Sequence, residues 1–436
     1  MNTRRAGLGM GTGAALCVGA VLGPGVLALP ASAAATAGPA SVLAWLGLVG
    51  LSLPVAMVFA ALGARHPDGG GVATFVRRAF GPTAAAPVGW WFYWAVPLGV
   101  PAAALIGGEY TAVATGGGRP AALAVAALVM AVAFAANLSG LRMSGRLQLL
   151  VVGLLAALLL VTVVVGAGQV EPGHFTPFLP RGWTSVGTAA SVLFFAFAGW
   201  EAISHLSGEF AAPRRDLPRV TLLAWSVVSG LYLGLAVVTM GVLGTGAGTT
   251  STPLTLLLER GIGPYARATA AVAALLLTFG AVNAYLAGGA RLGAALGRDG
   301  QLPRQLADGA SADGVPRCSL GLLAAACAVV TLLWAVGTVD LDVLLGATSA
   351  CLASVTLAGT LAAAVLLPRH GAMRLGAILS SALIAVVLVF CGPLLLVPVL
   401  IGVAAYAHRV VSGRRMNPVG THAGTHGEDT SRANRR

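Results

Sequence analysis

GAVLGPGVLALP, Gly19 to Pro30, lies inside the first long apolar run of the chain, where an unbroken membrane helix would otherwise be expected. Gly23, Pro24 and Gly25 fall near its middle. Glycine costs roughly 1 kcal/mol and proline roughly 3 kcal/mol in a helix interior. Proline also removes an N–H and crowds the carbonyl four residues back. The stretch therefore predicts two half-helices joined by backbone left unpaired at membrane depth. Such backbone persists in a bilayer only where it is buried in protein or lines a wet cavity. Pro24 suits the first position of the second half-helix. The N–H groups of Gly25, Val26 and Leu27 would then face the break at the positive end of a helix dipole, a place for an anion. Two plainer readings stand beside this one. The stretch could be a kinked helix with no ligand. It could also be a secretory signal, with Arg4 and Arg5 ahead of the apolar run and Ala31-Ser32-Ala33 as the cleavage site.

The rest of the composition fits a chain that crosses a membrane many times. Of 436 residues, 57% are hydrophobic and 9% are charged, and the mean hydropathy is +0.87. Charge-free windows of about 20 residues recur, each long enough to span a bilayer. Twelve apolar spans are predicted, at 8–34, 41–63, 86–112, 120–140, 147–168, 185–208, 218–244, 267–295, 318–338, 342–367, 375–391 and 393–410. The final pair is separated only by Cys391-Gly392-Pro393, which could instead be a kink in one element. All 26 basic residues are arginine. With the N-terminus in the cytoplasm, 22 fall in inner segments, and only Arg119, Arg181, Arg260 and Arg267 fall outside. That asymmetry predicts both termini in the cytoplasm, with the protein in the cytoplasmic membrane. Residues 1–410 read as the membrane domain and 411–436 as a disordered cytoplasmic tail. The net charge of +12 belongs to short loops, so a nucleic-acid partner is not implied. The five cysteines lie in or beside apolar runs without metal or disulfide spacing. No cofactor and no metal site are expected.

A second interruption falls in the sixth span, SVLFFAFAGWEAISHLSGEF, residues 191–210. Gly199 breaks the run and Glu201 follows at membrane depth. An ionisable residue inside a span is costly and is a functional candidate by default. Glu201 could equally be a structural acceptor that ties helices together. His205, four residues on, could share its helical face, although a packing role suits it as well. Glu109 is a further acidic candidate nearer the outer surface. Interruptions in the first and sixth spans are corresponding members of two five-span halves, 8–168 and 185–367. Discontinuous helices at matching places of an inverted repeat point to a substrate site near the midplane.

At these residues the sequence resembles a family. GAVLGPGVLALPA looks like the first-helix signature of the amino acid–polyamine–organocation transporters. RHPDGGGVATFVRRAFGP (65–82) with GWWFYW (89–94) resembles their second-to-third-helix connection. FAFAGWE (195–201), GEFAAPRRDLPRV (208–220) and ARLGAALGRDGQLP (290–303) resemble their sixth helix, the loop after it and the end of their eighth helix. The matches are ordered over about 300 residues and resemble most the amino acid efflux branch, which exports methionine and branched-chain amino acids. The resemblance implies an all-α, leucine-transporter-type fold of five plus five helices in inverted repeat, with two additional C-terminal helices at 375–410. It also implies that the first break holds the substrate carboxylate, at Gly23, Pro24, Gly25 and Val26. The sixth break would hold the amino group, with Phe195 as an aromatic gate and Ala196, Phe197, Ala198 and Gly199 supplying backbone. One departure is Pro24, where the family usually has Ser or Thr, which removes a hydroxyl and an N–H from the carboxylate site.

The function implied is secondary transport of small neutral amino acids (methionine, leucine, isoleucine, valine), outward and by proton antiport. Glu201, then His205 and Glu109, are the proton-carrying candidates. Uptake or exchange by a permease of the same family is the alternative. A membrane enzyme is disfavoured, because no nucleophile–base pair or His/Asp/Glu cluster lies within the spans. A channel on the same fold is a further alternative. Trp90, Trp91, Tyr93 and Trp94 read as packing and interface anchors, and Asp340 and Asp342 as solvated residues of an outer loop.

Overall fold

The computed structural model describes residues 9–66, 71–140, 145–210, 212–308 and 314–415, of which 145–148, 205–209 and 412–415 are described by their backbone alone. The expected polar tail from 416 onward, with His422 and His426, lies outside these residues, and so does the His205 side chain.

The described residues form an all-α polytopic bundle. The first apolar run is two helices, α1 (Met10–Val21) and α2 (Gly25–Ala37). At a rise of about 1.5 Å per residue they are about 18 and 20 Å long, so neither crosses a bilayer alone and the pair does. The chain continues through α3 (Ser41–Arg65), α4 (Gly71–Phe80), α5 (Pro82–Thr115), α6 (Gly118–Leu138) and α7 (Gly145–Ala167). The sixth span is α8 (Gly182–Phe197), followed after a gap by a 3-10 segment, Trp200–Glu209. Then come α9 (Pro213–Leu243), α10 (Pro253–Ile262), α11 (Ala266–Arg298), α12 (Arg317–Ala335), α13 (Leu341–Leu366), α14 (Ala372–Phe390) and α15 (Leu396–Arg415). Among the described residues eleven stretches are long and apolar enough to cross a membrane, and Met10–Val21 is a shorter apolar helix beside them.

Counted as passes, the helices agree with the expected series, the first and sixth spans each consisting of two pieces. The last two spans are separate helices: Gly392, at φ +57°, opens a 3-10 turn between α14 and α15. An even number of passes puts Met10 and Arg415 at the same end of the bundle, here the near face; the opposite end is the far face. Two helices were not anticipated. α4, between the second and third spans, buries Val72, Phe75 and Val76 while Arg77 and Arg78 stay exposed. α10, between the seventh and eighth, buries Leu254, Leu257 and Leu258. Both are ten residues long, below the length that a span search detects.

The core gathers around α5, which packs along α11, α6, α13 and α15. It is helical despite Pro87, Pro97 and Pro101 in its interior, because neighbouring helices shelter the carbonyls those prolines free. Small residues let backbones close up: a Cβ on Gly108 would lie 2.2 Å from the Ala122 carbonyl oxygen of α6. The tryptophans act as anchors. The Trp91 indole N–H donates to the Pro398 carbonyl of α15 (2.7 Å), and that of Trp90 to the Gln301 carbonyl (3.1 Å).

α1 and α2 are fully part of this core. Cys17, Val21, Leu22, Val26, Leu27 and Leu29 are all buried, with α1 against α9 and α2 against α8. Cleavage after Ala33 would remove α1 and most of α2 from this core. In contrast, α15 exposes Leu396, Val399, Leu400, Val403 and Tyr406, the apolar outer face of a bundle bathed in lipid.

Candidate functional site

In the first span the helical ladder stops at Leu22, whose N–H donates to the Val18 carbonyl (2.7 Å). The Gly23 N–H turns back to the Val21 carbonyl (2.8 Å), and α2 begins directly after Pro24. Sequence reasoning left three amides free here. Two of them close the first turn of α2: Val26 donates to the Gly23 carbonyl (3.3 Å) and Leu27 to the Pro24 carbonyl (3.0 Å). Gly25 is the remaining amide, at the end of α2 where helix N–H groups lack intrahelical partners.

The sixth span opens differently. Ala198 is extended (φ −70°, ψ 141°), and Gly199 takes φ +121°, a conformation reserved for glycine. A Cβ there would lie 2.4 Å from the Ala20 carbonyl oxygen, at the end of α1. The two interruptions therefore touch through backbone. Glu201 is buried, and its Oε2 accepts the Gly199 N–H (3.0 Å). It reaches back to the amide that precedes the 3-10 segment, and an acidic residue in that first turn suits the segment's positive end.

One residue that sequence reasoning missed joins the two breaks. The Tyr232 hydroxyl of α9 donates toward the Val21 and Ala196 carbonyls, 3.0 Å from each. It has a single proton for both. Its ring completes an edge-to-face cluster with Trp45 and Phe197 at centroid separations of 5.3 Å. A tyrosine inside an apolar span was the available signal, since a buried hydroxyl needs a partner. Its partners lie 211 and 36 residues away, and no local pattern names them.

Beside the joined breaks is a cavity of about 130 Å³. Of the sequence candidates, Phe195, Ala198, Gly199 and Glu201 line it. Their neighbours on the wall include Phe92 and Gly99 of α5, Tyr285 of α11 and Thr348 of α13. The Phe195 ring is wedged between α2 and α5: its Cδ1 lies 2.7 Å from where a Cβ on Gly25 would be, and its Cε2 3.8 Å from one on Gly99. Gly23 meets the cavity through Tyr285, whose hydroxyl lies 3.8 Å from a Cβ built there. Pro24, Val26, Ala196 and Phe197 are buried behind the wall. The wall is apolar except for Glu201, the Tyr285 and Thr348 hydroxyls and nearby backbone.

Glu109 is not at this site. It lines a wider cavity of about 690 Å³ at the far face and accepts a hydrogen bond from the Ser251 hydroxyl (3.3 Å). Asp342 lines the same cavity. It is not merely solvated, since its carboxylate accepts the Ser32 hydroxyl of α2 at 2.6 Å. Among the described residues no group of three His, Cys, Asp or Glu side chains is placed to hold a metal ion.

Comparison with known proteins extends this picture. A family model described as "Amino acid permease" matches residues 8–419. A Bacillus subtilis protein named uncharacterized amino acid permease YecA is 33% identical over 404 residues, 92% of this chain and 95% of that one. The Escherichia coli L-methionine/branched-chain amino acid exporter YjeH is 35% identical over 291 residues, 65% of this chain and 68% of that one. The branched-chain amino acid permease BcaP of B. subtilis is 28% identical over 312 residues, 67% of each chain.

Proposed function

The chain belongs to the amino acid permease family, a family of transporters rather than enzymes, and from that premise we propose that it exports small apolar amino acids across the cytoplasmic membrane. The observation that carries this reading is the pair of broken helices meeting beside one apolar cavity. Two kinds of backbone are on offer there: the Gly25 N–H end of α2, and the carbonyl-rich end of α8 at Phe195 to Gly199. The first suits a carboxylate and the second an ammonium. Gly23, Pro24, Gly25 and Val26 shape the carboxylate side. The two interrupted spans would hold corresponding places in inverted repeats over 8–168 and 185–367.

The cavity favours small aliphatic side chains. The cavity is small, about 130 Å³. Its walls offer methyls and ring faces, so methionine, leucine, isoleucine and valine should compete for it and arginine, lysine and aspartate should not. YjeH, by its name an exporter of methionine and branched-chain amino acids, supports outward transport of this class. BcaP, named a permease, supports uptake or exchange as the second reading.

Glu201 is the proton-carrying candidate, because its carboxylate faces the cavity and caps the break at once. Glu109, at the far-face cavity, is further from any substrate. His205 is the third candidate. The near face is assigned to the cytoplasm from the arginine asymmetry.

Counterflow in proteoliposomes tests the reading: a carrier exchanges labelled for unlabelled amino acid and a channel does not. A panel of amino acids fixes the class, and net flux in vesicles of known sidedness fixes the direction. Orientation has an independent check. Cys318 at the near-face end of α12 is exposed, and the other four cysteines are buried. An impermeant maleimide should label the unmodified protein only after cells are opened. Labelling of Cys318 in intact cells would reverse the assignment.

A further inference from the structure

The first break has fewer donors than an anion site usually offers. Pro24 has neither hydroxyl nor N–H, and the amides of Val26 and Leu27 are committed to the first turn of α2. What remains on the chain itself is the Gly25 end of the helix. The wall of the cavity carries a hydroxyl that no sequence pattern singled out. Tyr285 of α11 lines the cavity, and its oxygen reaches to 3.8 Å from the Cβ position of Gly23.

Three tyrosines that approach α1 or α2 differ in what their hydroxyls do. Tyr232 spends its proton on the two break carbonyls. Tyr110 donates to the Leu27 carbonyl (2.8 Å) and accepts the Leu254 N–H (3.3 Å). Tyr285 is 38% exposed, and its hydroxyl makes no hydrogen bond to any described residue. A phenol that fills a gap in a core would be buried and paired. One that faces a cavity beside a helix start is placed to donate to a ligand.

We propose that the Tyr285 hydroxyl supplies, from α11, the side-chain donor to the substrate carboxylate that Pro24 cannot supply. The inference rests on the proposed amino acid site and assigns one of its contacts. The carboxylate then lies between the Gly25 end of α2 and the Tyr285 hydroxyl. The ammonium faces Glu201 and the carbonyls of the sixth break. α11 is thereby made a binding element, so carboxylate occupancy ties α2 to α11 directly.

The test uses the full chain in proteoliposomes, with counterflow of L-leucine. Competing ligands are unlabelled L-leucine and 3-methylbutylamine, which keeps the amine and the side chain but has no carboxyl group. Tyr285→Phe keeps the ring and removes only the hydroxyl. A hydrogen bond to a charged group is strong enough that L-leucine should bind about tenfold more weakly or worse. Competition by 3-methylbutylamine should be unchanged. Pro24→Ser in the Tyr285→Phe background returns a hydroxyl from the first break and should recover most of the lost affinity.

The inference is overturned if Tyr285→Phe leaves L-leucine affinity as it was. It is also overturned if leucine and the amine weaken equally and Pro24→Ser restores nothing, which would assign the hydroxyl to Glu201 or to packing. If the unmutated protein exchanges no amino acid of the panel, the proposed function fails and takes this inference with it. That result is read before any variant is made.

Discussion

The two interruptions resemble each other in sequence, a glycine in the middle of an apolar span, and they are built on opposite principles. In the sixth span Gly199 is indispensable to the backbone. Its φ of +121° and its approach to the Ala20 carbonyl leave no room for a Cβ, and its N–H is held by the Glu201 carboxylate. In the first span Gly23 has ordinary space: a Cβ there meets only the Tyr285 hydroxyl at 3.8 Å and the Val21 carbonyl oxygen at 4.0 Å. The sixth break is a wedge locked against the first, while the first is a looser turn that meets the cavity only through the Tyr285 hydroxyl beside Gly23. A shared glycine signal therefore covers two different situations, a conformation that only glycine adopts and a turn that leaves ordinary space.

The largest expected effect comes from breaking the lock. Gly199→Ala forces a non-glycine residue into strained backbone, on the order of 1–3 kcal/mol, and drives a methyl into α1. Folded yield and melting temperature should both fall sharply. Gly23→Ala in the same assay should keep the fold and lose transport. Equal melting temperatures for the two variants would refute the distinction.

Next is the acid that caps the sixth break. In Glu201→Gln the amide oxygen can still accept the Gly199 N–H, so charge is removed and the cap is kept. Net efflux should lose its dependence on a pH gradient, whereas substrate-for-substrate exchange should survive. Glu201→Ala loses the cap as well, a bond to a charged group worth about 1.5–3 kcal/mol, and should melt below the Gln variant. A Gln variant with full gradient sensitivity would remove Glu201 from coupling and bring Glu109 and His205 forward.

A smaller effect is expected where the breaks are stitched together. Tyr232→Phe leaves the Val21 and Ala196 carbonyls without their shared donor. The cost should be about 1–3 kcal/mol, the penalty for a buried group left unmatched. Val21 retains the Gly23 N–H, so the loss should fall mainly on the sixth break. Thermal unfolding of Tyr232→Phe would show this: a melting temperature equal to that of the unmodified protein means that the tyrosine does not hold the breaks together.

Smallest is Pro24→Ser in the otherwise unchanged protein. The flanking glycines keep the interruption, and the added hydroxyl would join the donor proposed from Tyr285. L-leucine affinity should stay level or rise modestly. Complete loss of binding by a well-folded variant would show that the proline ring itself sets the geometry of the first break.

Much of this architecture was legible beforehand for a simple reason. A bilayer demands about 20 apolar residues per crossing, and a Gly-Pro-Gly run cannot stay helical, so spans and the first break are written locally. Gly199 and the buried Glu201 were visible by the same logic. α4 and α10 were not, because ten-residue amphipathic helices leave a weak imprint between strong apolar runs. The fate of the three amides at the first break was not legible either, since it depends on how tightly the first turn of α2 closes.

The sequence by itself determined that the chain is a helical membrane bundle, which two of its spans are broken, and which carboxylate stands at membrane depth. These follow from composition and from neighbours a few residues apart. Only the tertiary structure decided what the breaks do to each other. It brought Ala20 against Gly199 and set Tyr232 between two carbonyls. It turned Asp342 toward Ser32, moved Glu109 to a different cavity and placed Tyr285 opposite Gly23. Each of these pairs is dozens to hundreds of residues apart in the chain. Their meeting is fixed by the packing of whole helices, where close backbone approach and the pairing of buried polar groups select one arrangement.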